Sequence, residues 1–280
     1  MLNPHLSNFY LKLSRSMEEN FTKRNNIPFK AEMVKSNILC EHENKDNVLE
    51  LDGNSDKIVR KESFKKLEQL SINKVDPVEL AVIGKKLFKE LEDYNILAPV
   101  EFIIGQDEQG EKVVYEIVHK IKGGNLEEVE ITKETQEEVE KLYNSIANYY
   151  LCKSRKEENF LADINSASQY VYGTTKENEQ KRIYLTDTDL YINSGKVALL
   201  HVVKWFLRHM TWVEEKFDKN FEIARNNIKE IIENIVLPEN LTEEEKNKAE
   251  TEIKEINDIL VGNFKELNMD EKGFIVGRIL

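Results

Sequence analysis

Cysteine, glycine and proline are all scarce in this chain. Its 280 residues include two cysteines, 11 glycines and five prolines. Cys40 and Cys152 stand far apart in the sequence, so they indicate neither a disulfide framework nor a zinc-binding spacing. So little glycine and proline leaves few places for turns and linkers, which favours long helices.

Long apolar runs and an excess of positive charge are also missing. No run approaches the ~20 apolar residues that span a bilayer. The net charge of −12 argues against a general nucleic-acid binder or a membrane-surface protein. Residues 1–24 include Glu18 and Glu19 and no small-residue cleavage site, so we expect no signal peptide. We therefore expect a cytoplasmic protein with neither nucleic acid nor membrane among its partners.

The residues that are present predict a mixture of helices and strands. Hydrophobic residues make up 40% of the chain and charged residues 33%, which is typical of a globular protein with one large domain or two lobes. Helical periodicity and short β-preferring segments alternate along the sequence. The predicted helices span 1–24, 76–94, 132–150, 196–219, 223–236 and 242–267. The predicted strands upstream of residue 132 span 32–40, 47–51, 57–61, 100–104 and 113–118.

Two aspartates flank a predicted hairpin in the middle of the chain. Asp163 follows Phe160, Leu161 and Ala162 in a short loop. Residues 169–173 and 182–185 are predicted strands, joined by a polar linker that suits a hairpin. Asp187 comes where the second strand should end. Two carboxylates placed in this way can hold a metal ion and face a nucleophile.

This arrangement resembles the catalytic centre of the protein-kinase-like superfamily. The resemblance implies that Asp163 receives the proton of the substrate hydroxyl and that Asp187 holds Mg²⁺ on the phosphates of ATP. The element order is also similar to that α+β fold, which has two lobes: a small antiparallel-sheet N-lobe and a helical C-lobe. Here a helical extension at 1–28 would precede a small lobe at 29–122 and a large lobe at 123–280.

Two further stretches resemble nucleotide-contacting parts of that family. Residues 116–126 resemble the hinge that meets the adenine, so Val118, His119 and Ile121 would line the nucleotide; a strand running into a Gly-Gly turn is the simpler reading. The strand at 58–61 resembles the lysine strand, where Lys61, or else Arg60, would contact phosphate. An exposed basic pair on an edge strand is the alternative. Glu79 would pair with that cation, or act only as the capping residue of its helix.

Three departures from the family shape the expected function. Residues 41–46 contain no glycine, although backbone that approaches phosphate closely should carry no side chain. Ser168, followed by Gln169, stands where the family has a metal-binding Asn, so either side chain, with Asp189, would assist Asp187. No long activation segment separates Asp189 from the helix at 196. This favours the branch of aminoglycoside and choline phosphotransferase-like proteins, which transfer phosphate to a small-molecule hydroxyl.

Two other functions remain open from the sequence. A catalytically silent pseudokinase could bind a nucleotide or a partner without transferring phosphate and act as an interaction module. For the enzyme, the sequence does not indicate whether the acceptor is a small molecule or a protein. The run Asp187-Thr188-Asp189 also fits the Asp-x-Asp motif of nucleotide-sugar glycosyltransferases, in which two carboxylates hold a divalent cation. His201 and His209 lie eight residues apart on one helical face and are interpreted as packing or boundary residues. Trp205 and Trp212 are predicted to be core residues.

Overall fold

The computed structural model describes residues 48–51, 54–62, 77–106, 112–156, 158–176, 178–187 and 191–262. Within these residues the fold is α+β, with antiparallel strand pairs and five helices. The predicted helix at 1–24, the strand at 32–40, and the glycine-free segment 41–46 lie outside the described residues. None of the described helices is both long enough and apolar enough to cross a membrane.

The chain divides into two compact units. The first comprises the described residues within Met1–Glu92, Leu97–Gly124 and Tyr170–Leu190, and the second those within Asp93–Ile96, Asn125–Gln169 and Tyr191–Leu280. Neither unit is one continuous segment. The predicted division at residues 28 and 122 stays a prediction.

A four-stranded antiparallel sheet forms one part of the first unit. Its strands are β1 (Val48–Leu51), β2 (Asn54–Glu62), β3 (Val100–Gln106) and β4 (Lys112–His119), in the order β1-β2-β4-β3. Helix α1 (Pro77–Asp93) lies between β2 and β3 in the chain. These elements confirm the predicted strands at 47–51, 57–61, 100–104 and 113–118 and the helix at 76–94.

A three-stranded sheet forms the other part of the first unit. It consists of β5 (Lys122–Asn125), β7 (Tyr170–Thr174) and β8 (Arg182–Leu185), in the order β5-β7-β8. The antiparallel pairing of β7 and β8 confirms the predicted hairpin. The Leu185 N–H donates to the Leu97 carbonyl oxygen at 2.7 Å, which ties β8 to the segment before β3.

The predicted Gly-Gly turn at Gly123 and Gly124 is wrong, because both glycines belong to strand β5. A Cβ atom on Gly123 would fall on the Tyr172 carbonyl oxygen and lie 2.6 Å from the Gly173 Cα. A Cβ on Gly173 would meet the Lys122 carbonyl in the same way. The two backbones therefore cross at a distance that only glycine allows. By contrast, a Cβ on Gly124 would meet nothing within 4 Å.

The second unit is built on helices α2 (Lys133–Ser154), α3 (Lys196–Phe217), α4 (Glu222–Asn234) and α5 (Glu243–Leu260). Thr132 and Thr135 form a capping box at the start of α2, and Thr242 and Glu245 form the predicted one at α5. A hydroxyl at the N-cap satisfies an amide that the helix itself leaves unpaired, so both starts follow from local sequence.

Aromatic rings fill the core of the second unit. Tyr143 is fully buried and stacks against Phe206 at 5.7 Å and against Phe221 at 5.3 Å between ring centroids. Each buried aromatic ring stabilises the fold by an amount on the order of 2–3 kcal/mol through apolar burial, and each ring pair adds about 1 kcal/mol. Four more large side chains of this unit have almost no exposure: Tyr149, Tyr150, Phe160 and Phe217.

Charged contacts hold α5 against α3. Lys204 Nζ lies 2.7 Å from Glu252 Oε2, His201 Nδ1 lies 2.8 Å from Glu252 Oε1, and Arg208 pairs with Glu255 at 2.9 Å. Burial alone would raise the pKa of the Glu252 carboxyl, but the hydrogen bonds and charges of His201 and Lys204 hold it below its ordinary value. His201 is thus a polar contact between helices as well as a boundary residue.

Trp205 and Trp212 are half-buried, so the prediction that they are core residues is wrong. The Arg208 guanidinium lies 5.0 Å from the Trp205 ring centroid, and Lys216 Nζ lies 5.6 Å from that of Trp212. An indole ring can remain partly exposed at low cost when a cation covers its face.

Candidate functional site

Asp163 lies in a loop that begins directly after a very short strand pair. Strand β6 (Phe160–Leu161) pairs antiparallel with β9 (Ile192–Asn193), and the Ala162 N–H donates to the Tyr191 carbonyl oxygen at 2.9 Å. Residues 162–169, called the Asp163 loop below, follow this pair and end in the 3₁₀ turn Ala167–Gln169. Asp163 itself is half-buried.

The Gln169 side chain closes the Asp163 loop on itself. Its Oε1 accepts from the Ser166 N–H at 2.9 Å, and its Nε2 donates to the Asp163 carbonyl oxygen at 3.1 Å. Both ends of the amide are thus used inside the loop. Because Gln169 is buried, these bonds are shielded from water and fix the backbone at Asp163.

Three side chains from neighbouring elements anchor the same loop. Tyr150 Oη, on α2, donates to Asn165 Oδ1 at 2.6 Å. His209 Nε2, on α3, accepts from the Ala167 N–H at 2.8 Å. Asn125 Nδ2, at the end of β5, donates to the Ser168 carbonyl oxygen at 2.9 Å. The loop is therefore fixed along most of its length.

These anchors were not predicted as site residues. Periodicity assigns Tyr150 to the buried face of a helix and His209 to packing, and neither pattern shows which loop lies opposite. A polar atom on an otherwise apolar face is a weak signal that a buried backbone group needs a partner. The interpretation of His209 as a packing residue is incomplete, because its imidazole also accepts a backbone hydrogen bond.

The imidazole of His209 is neutral at physiological pH. Burial lowers its pKa to about 4, because the charged form would lose its hydration. Only an unprotonated ring nitrogen can accept the Ala167 N–H, so burial and the hydrogen bond require the same protonation state. The loop beside Asp163 is thus held without a positive charge on this histidine.

The predicted metal ligands Ser168 and Gln169 make side-chain hydrogen bonds within the Asp163 loop. Ser168 is exposed, and its Oγ lies 2.6 Å from the Ser166 Oγ. The Gln169 Oε1 already accepts one hydrogen bond, and an amide oxygen has two lone pairs. Both are hard oxygen donors of the kind that Mg²⁺ prefers. Their role as metal ligands stays a prediction.

Asp187 lies two residues beyond the end of β8 and is half-buried. This is the position that the sequence predicts for it, at the end of the second hairpin strand. Asp189, the acidic residue that would assist it, lies outside the described residues. In the part of the chain that the structure describes, no group of three or more His, Cys, Asp or Glu residues could hold a metal ion.

The predicted nucleotide-contacting strands are neighbours in the four-stranded sheet. Arg60 and Lys61 lie on β2, opposite Glu116 and Tyr115 of β4. This pairing makes β2 an inner strand between β1 and β4, so the alternative of an edge strand is wrong. The side chains of Arg60 and Lys61 lie outside what the structure describes, so which of them faces inward stays open.

The hinge-like segment lies at the end of β4. Val118 is buried, with 4% exposure, whereas His119 and Ile121 are half-buried. The His119 N–H donates to the Pro99 carbonyl oxygen at 3.1 Å. Glu79 lies in the first turn of α1, but its side chain is outside the described part of the structure, so its ion pair and its capping role both stay predictions.

The structure thus forms two groups of predicted site residues, each within one unit. Asp163, Ser168 and Gln169 share one loop of the second unit. The strand of Arg60 and Lys61 adjoins that of Val118 and His119 in the first unit, which also contains Asp187. Whether Asp163 and Asp187 share a cation remains a prediction. Comparison with models of known families and with curated proteins gives no match for this chain.

Proposed function

We propose that this chain is a kinase-like nucleotide-binding protein that transfers phosphate from ATP to a hydroxyl group of a small molecule. Asp163 would accept the hydroxyl proton and orient the nucleophile. Asp187, with Asp189 and Gln169 or Ser168, would hold Mg²⁺, which when bound neutralises phosphate charge. Lys61 or Arg60 would contact the phosphates, and Glu79 would orient that cation. The hinge residues Val118, His119 and Ile121 would line the adenine.

The observation that carries the proposal is the order of loop, hairpin and aspartate. Asp163 lies in a loop held by buried hydrogen bonds, β7 and β8 follow as an antiparallel hairpin, and Asp187 comes two residues after β8. A carboxylate that is to act as a base needs a backbone fixed to within about 0.5 Å. The anchors from two helices and from Gln169 within the loop supply such a fixed backbone.

The strand order of the four-stranded sheet gives further support. In the order β1-β2-β4-β3, the strand of Arg60 and Lys61 adjoins the strand that ends in His119. Two groups that contact one ATP molecule must lie within its length, and neighbouring strands are only about 4.8 Å apart. The pairing of β2 with β4 brings the two segments together although about 50 residues separate them in the sequence.

Calorimetry and turnover with Mg-ATP test the proposal. We expect heat of binding at millimolar Mg-ATP and slow phosphate release, both measured on the full chain. Asp163→Asn should retain binding and lose phosphate release, and Asp187→Asn should abolish turnover. Most of the rate in phosphoryl transfer comes from positioning and charge stabilisation, so a loss of at least 100-fold is expected.

Asp258→Asn is a matched control for these two variants. Asp258 is exposed on α5, so the same change of charge there should leave phosphate release unaltered. No heat and no thermal shift at millimolar Mg-ATP in the wild-type chain would exclude both the enzyme and a nucleotide-binding pseudoenzyme.

A catalytically silent nucleotide-binding protein is the second candidate. It is favoured by the engagement of Ser168 and Gln169 within their own loop, at the position where the family has a metal-binding Asn. This candidate predicts ATP binding that does not depend on Mg²⁺ and no phosphate release above background. The same calorimetric titration, repeated with EDTA, separates the two candidates.

The glycosyltransferase alternative has less support. A nucleotide-sugar binding unit begins with strands that alternate with helices along the chain, and those strands pair in parallel. The pairs among β1 to β4, all within the described part of the chain, are antiparallel. Binding of uridine diphosphate sugars in the presence of Mn²⁺ would restore this alternative.

A further inference from the structure

His209 joins the long helix α3 to the backbone of the Asp163 loop. The Ala167 N–H donates to its Nε2 at 2.8 Å, and its ring lies 5.3 Å from the Trp212 ring, centroid to centroid. Since a backbone N–H can only donate, Nε2 must be the unprotonated nitrogen. A neutral imidazole therefore carries its proton on Nδ1.

Ala167 is connected to Asp163 through its chain neighbours and the hydrogen bonds of the Gln169 side chain. Ala167 lies between Ser166, whose N–H bonds to Gln169 Oε1, and Ser168, whose carbonyl oxygen accepts from Asn125. Gln169 Nε2 in turn donates to the Asp163 carbonyl oxygen. A displacement of the Ala167 amide would therefore shift the Gln169 side chain and, with it, the backbone at Asp163.

We propose that His209 is a positioning residue that fixes the Asp163 loop by accepting the Ala167 N–H in its Nδ1-protonated tautomer. The expected effect of His209 on turnover depends on the function proposed above, in which Asp163 acts as the base. The anchoring itself depends only on the hydrogen bond and the burial of this region. The structure thereby gives a polar role to a residue on a largely apolar helix.

The alternative role of His209 is simple packing beside Trp212. The two roles differ in what can replace the imidazole. Leucine fills a similar volume but accepts no hydrogen bond, so it would leave the Ala167 N–H without its partner in a half-buried site. Glutamine carries an oxygen at a comparable reach and can accept. Rescue by glutamine but not by leucine therefore distinguishes positioning from packing.

Hydrogen exchange of the Ala167 amide tests the anchoring in the full chain. In His209→Leu we expect exchange at Ala167 to rise by at least about tenfold, with His209→Gln within about threefold of the wild type. His201→Leu removes an imidazole from the same helix, where it contacts Glu252 instead of the loop, and should leave the Ala167 amide unchanged. Unchanged exchange in a folded His209→Leu chain, or equal loss in His209→Gln, would overturn the proposal.

A spectrum of the wild-type chain tests the tautomer without any variant. A long-range ¹H–¹⁵N correlation at pH 7 should show His209 protonated at Nδ1, with Nε2 as the acceptor. Protonation at Nε2 would overturn the proposal even if every substitution at this position prevented folding.

Phosphate release from Mg-ATP tests the consequence for Asp163. We expect kcat to fall about 100-fold in His209→Leu, because the loop that carries Asp163 and the proposed metal ligands Ser168 and Gln169 is misplaced. His209→Gln should recover most of kcat. If the wild-type chain neither binds nor hydrolyses Mg-ATP, the proposed function fails, and the exchange and the tautomer still decide whether His209 anchors the loop.

Discussion

Two tyrosines on the same helix allow a comparison at the scale of single atoms. Tyr150 and Tyr143 are both fully buried on α2. The Tyr150 hydroxyl donates to Asn165 Oδ1 at 2.6 Å, whereas the Tyr143 hydroxyl has no hydrogen-bond partner among the described residues. Burial, with the nearby charge of Glu127, raises the pKa of Tyr143. Each hydroxyl therefore contributes differently to stability in nearly equal surroundings.

We predict that Tyr150→Phe lowers the free energy of unfolding by about 1–3 kcal/mol, because a buried amide oxygen loses its donor. Tyr143→Phe removes a buried hydroxyl that makes no bond and should be neutral or stabilising. Urea denaturation at pH 7 measures both variants against the wild type. Equal destabilisation by the two substitutions would contradict the assigned contacts.

His209 gives a second prediction at this scale, in the dependence of stability on pH. The unfolded chain binds a proton at this histidine near pH 6.5, but the folded chain does so only near pH 4. Between these values the unfolded state binds more protons, so the contribution of His209 is complete above about pH 6.5 and is lost as the pH falls toward 4. The gap between the two pKa values corresponds to about 3 kcal/mol at most.

Denaturation of the wild type and of His209→Gln from pH 7 to pH 4 isolates this effect from the titration of carboxylates. Glutamine does not titrate, so the stability of the wild type relative to the variant should fall by about 3 kcal/mol across that range. A difference between the two chains that stays constant with pH would show that His209 is not buried as a neutral group.

The crossing of β5 and β7 leaves no room for a side chain at Gly123 or Gly173. We predict that Gly123→Ala destabilises the chain by about 2 kcal/mol or more, because its Cβ would overlap the Tyr172 carbonyl and the strands would have to separate. Gly124→Ala is the matched control, since its Cβ has open space; it should change stability by less than about 0.5 kcal/mol. Thermal unfolding of both variants measures these changes in stability. Equal destabilisation by the two substitutions would contradict the close approach of β5 and β7 at Gly123.

Sequence predicts the elements whose signals are local. Thr242 and Glu245 mark the start of α5 three residues apart, and β7 and β8 carry enough apolar and aromatic residues to indicate a hairpin. Sequence does not predict strands β6 and β9, because two residues cannot show a period of two. It predicts a turn at Gly123 because glycine more often indicates turns, and the partner Gly173 is 50 residues away.

The candidate site also contains residues that the sequence indicates and contacts that it does not. The sequence indicates Asp187 because it follows a β-preferring run, and it indicates Asp163 through the resemblance to the kinase-like centre. It gives no sign that Gln169 closes the loop on itself or that His209 meets Ala167, 42 residues earlier. Such contacts depend on which helix face meets which loop, and helical periodicity predicts only that a face is buried.

The connectivity of the two units limits how the chain can be divided into fragments. The hairpin of β7 and β8 belongs to the first unit, but it lies in the sequence between two segments of the second. Two of its outer contacts come from residues up to 125: β5 pairs with β7, and Leu97 accepts from the Leu185 N–H at 2.7 Å. A fragment that begins at residue 125 retains the hairpin but keeps only the last residue of β5 and lacks Leu97.

We therefore predict that, in a fragment of residues 125–280, hydrogen exchange at the Leu185 amide accelerates at least about 100-fold relative to the full chain, since a two-stranded hairpin is marginal by itself. Amides in the middle of α3, such as those of Phe206 and Leu207, are buried within the second unit and serve as the internal control. They should stay protected in both proteins if that unit retains its core. Protection of Leu185 in the fragment equal to that in the full chain would show that β5 and Leu97 do not support the hairpin that leads to Asp187.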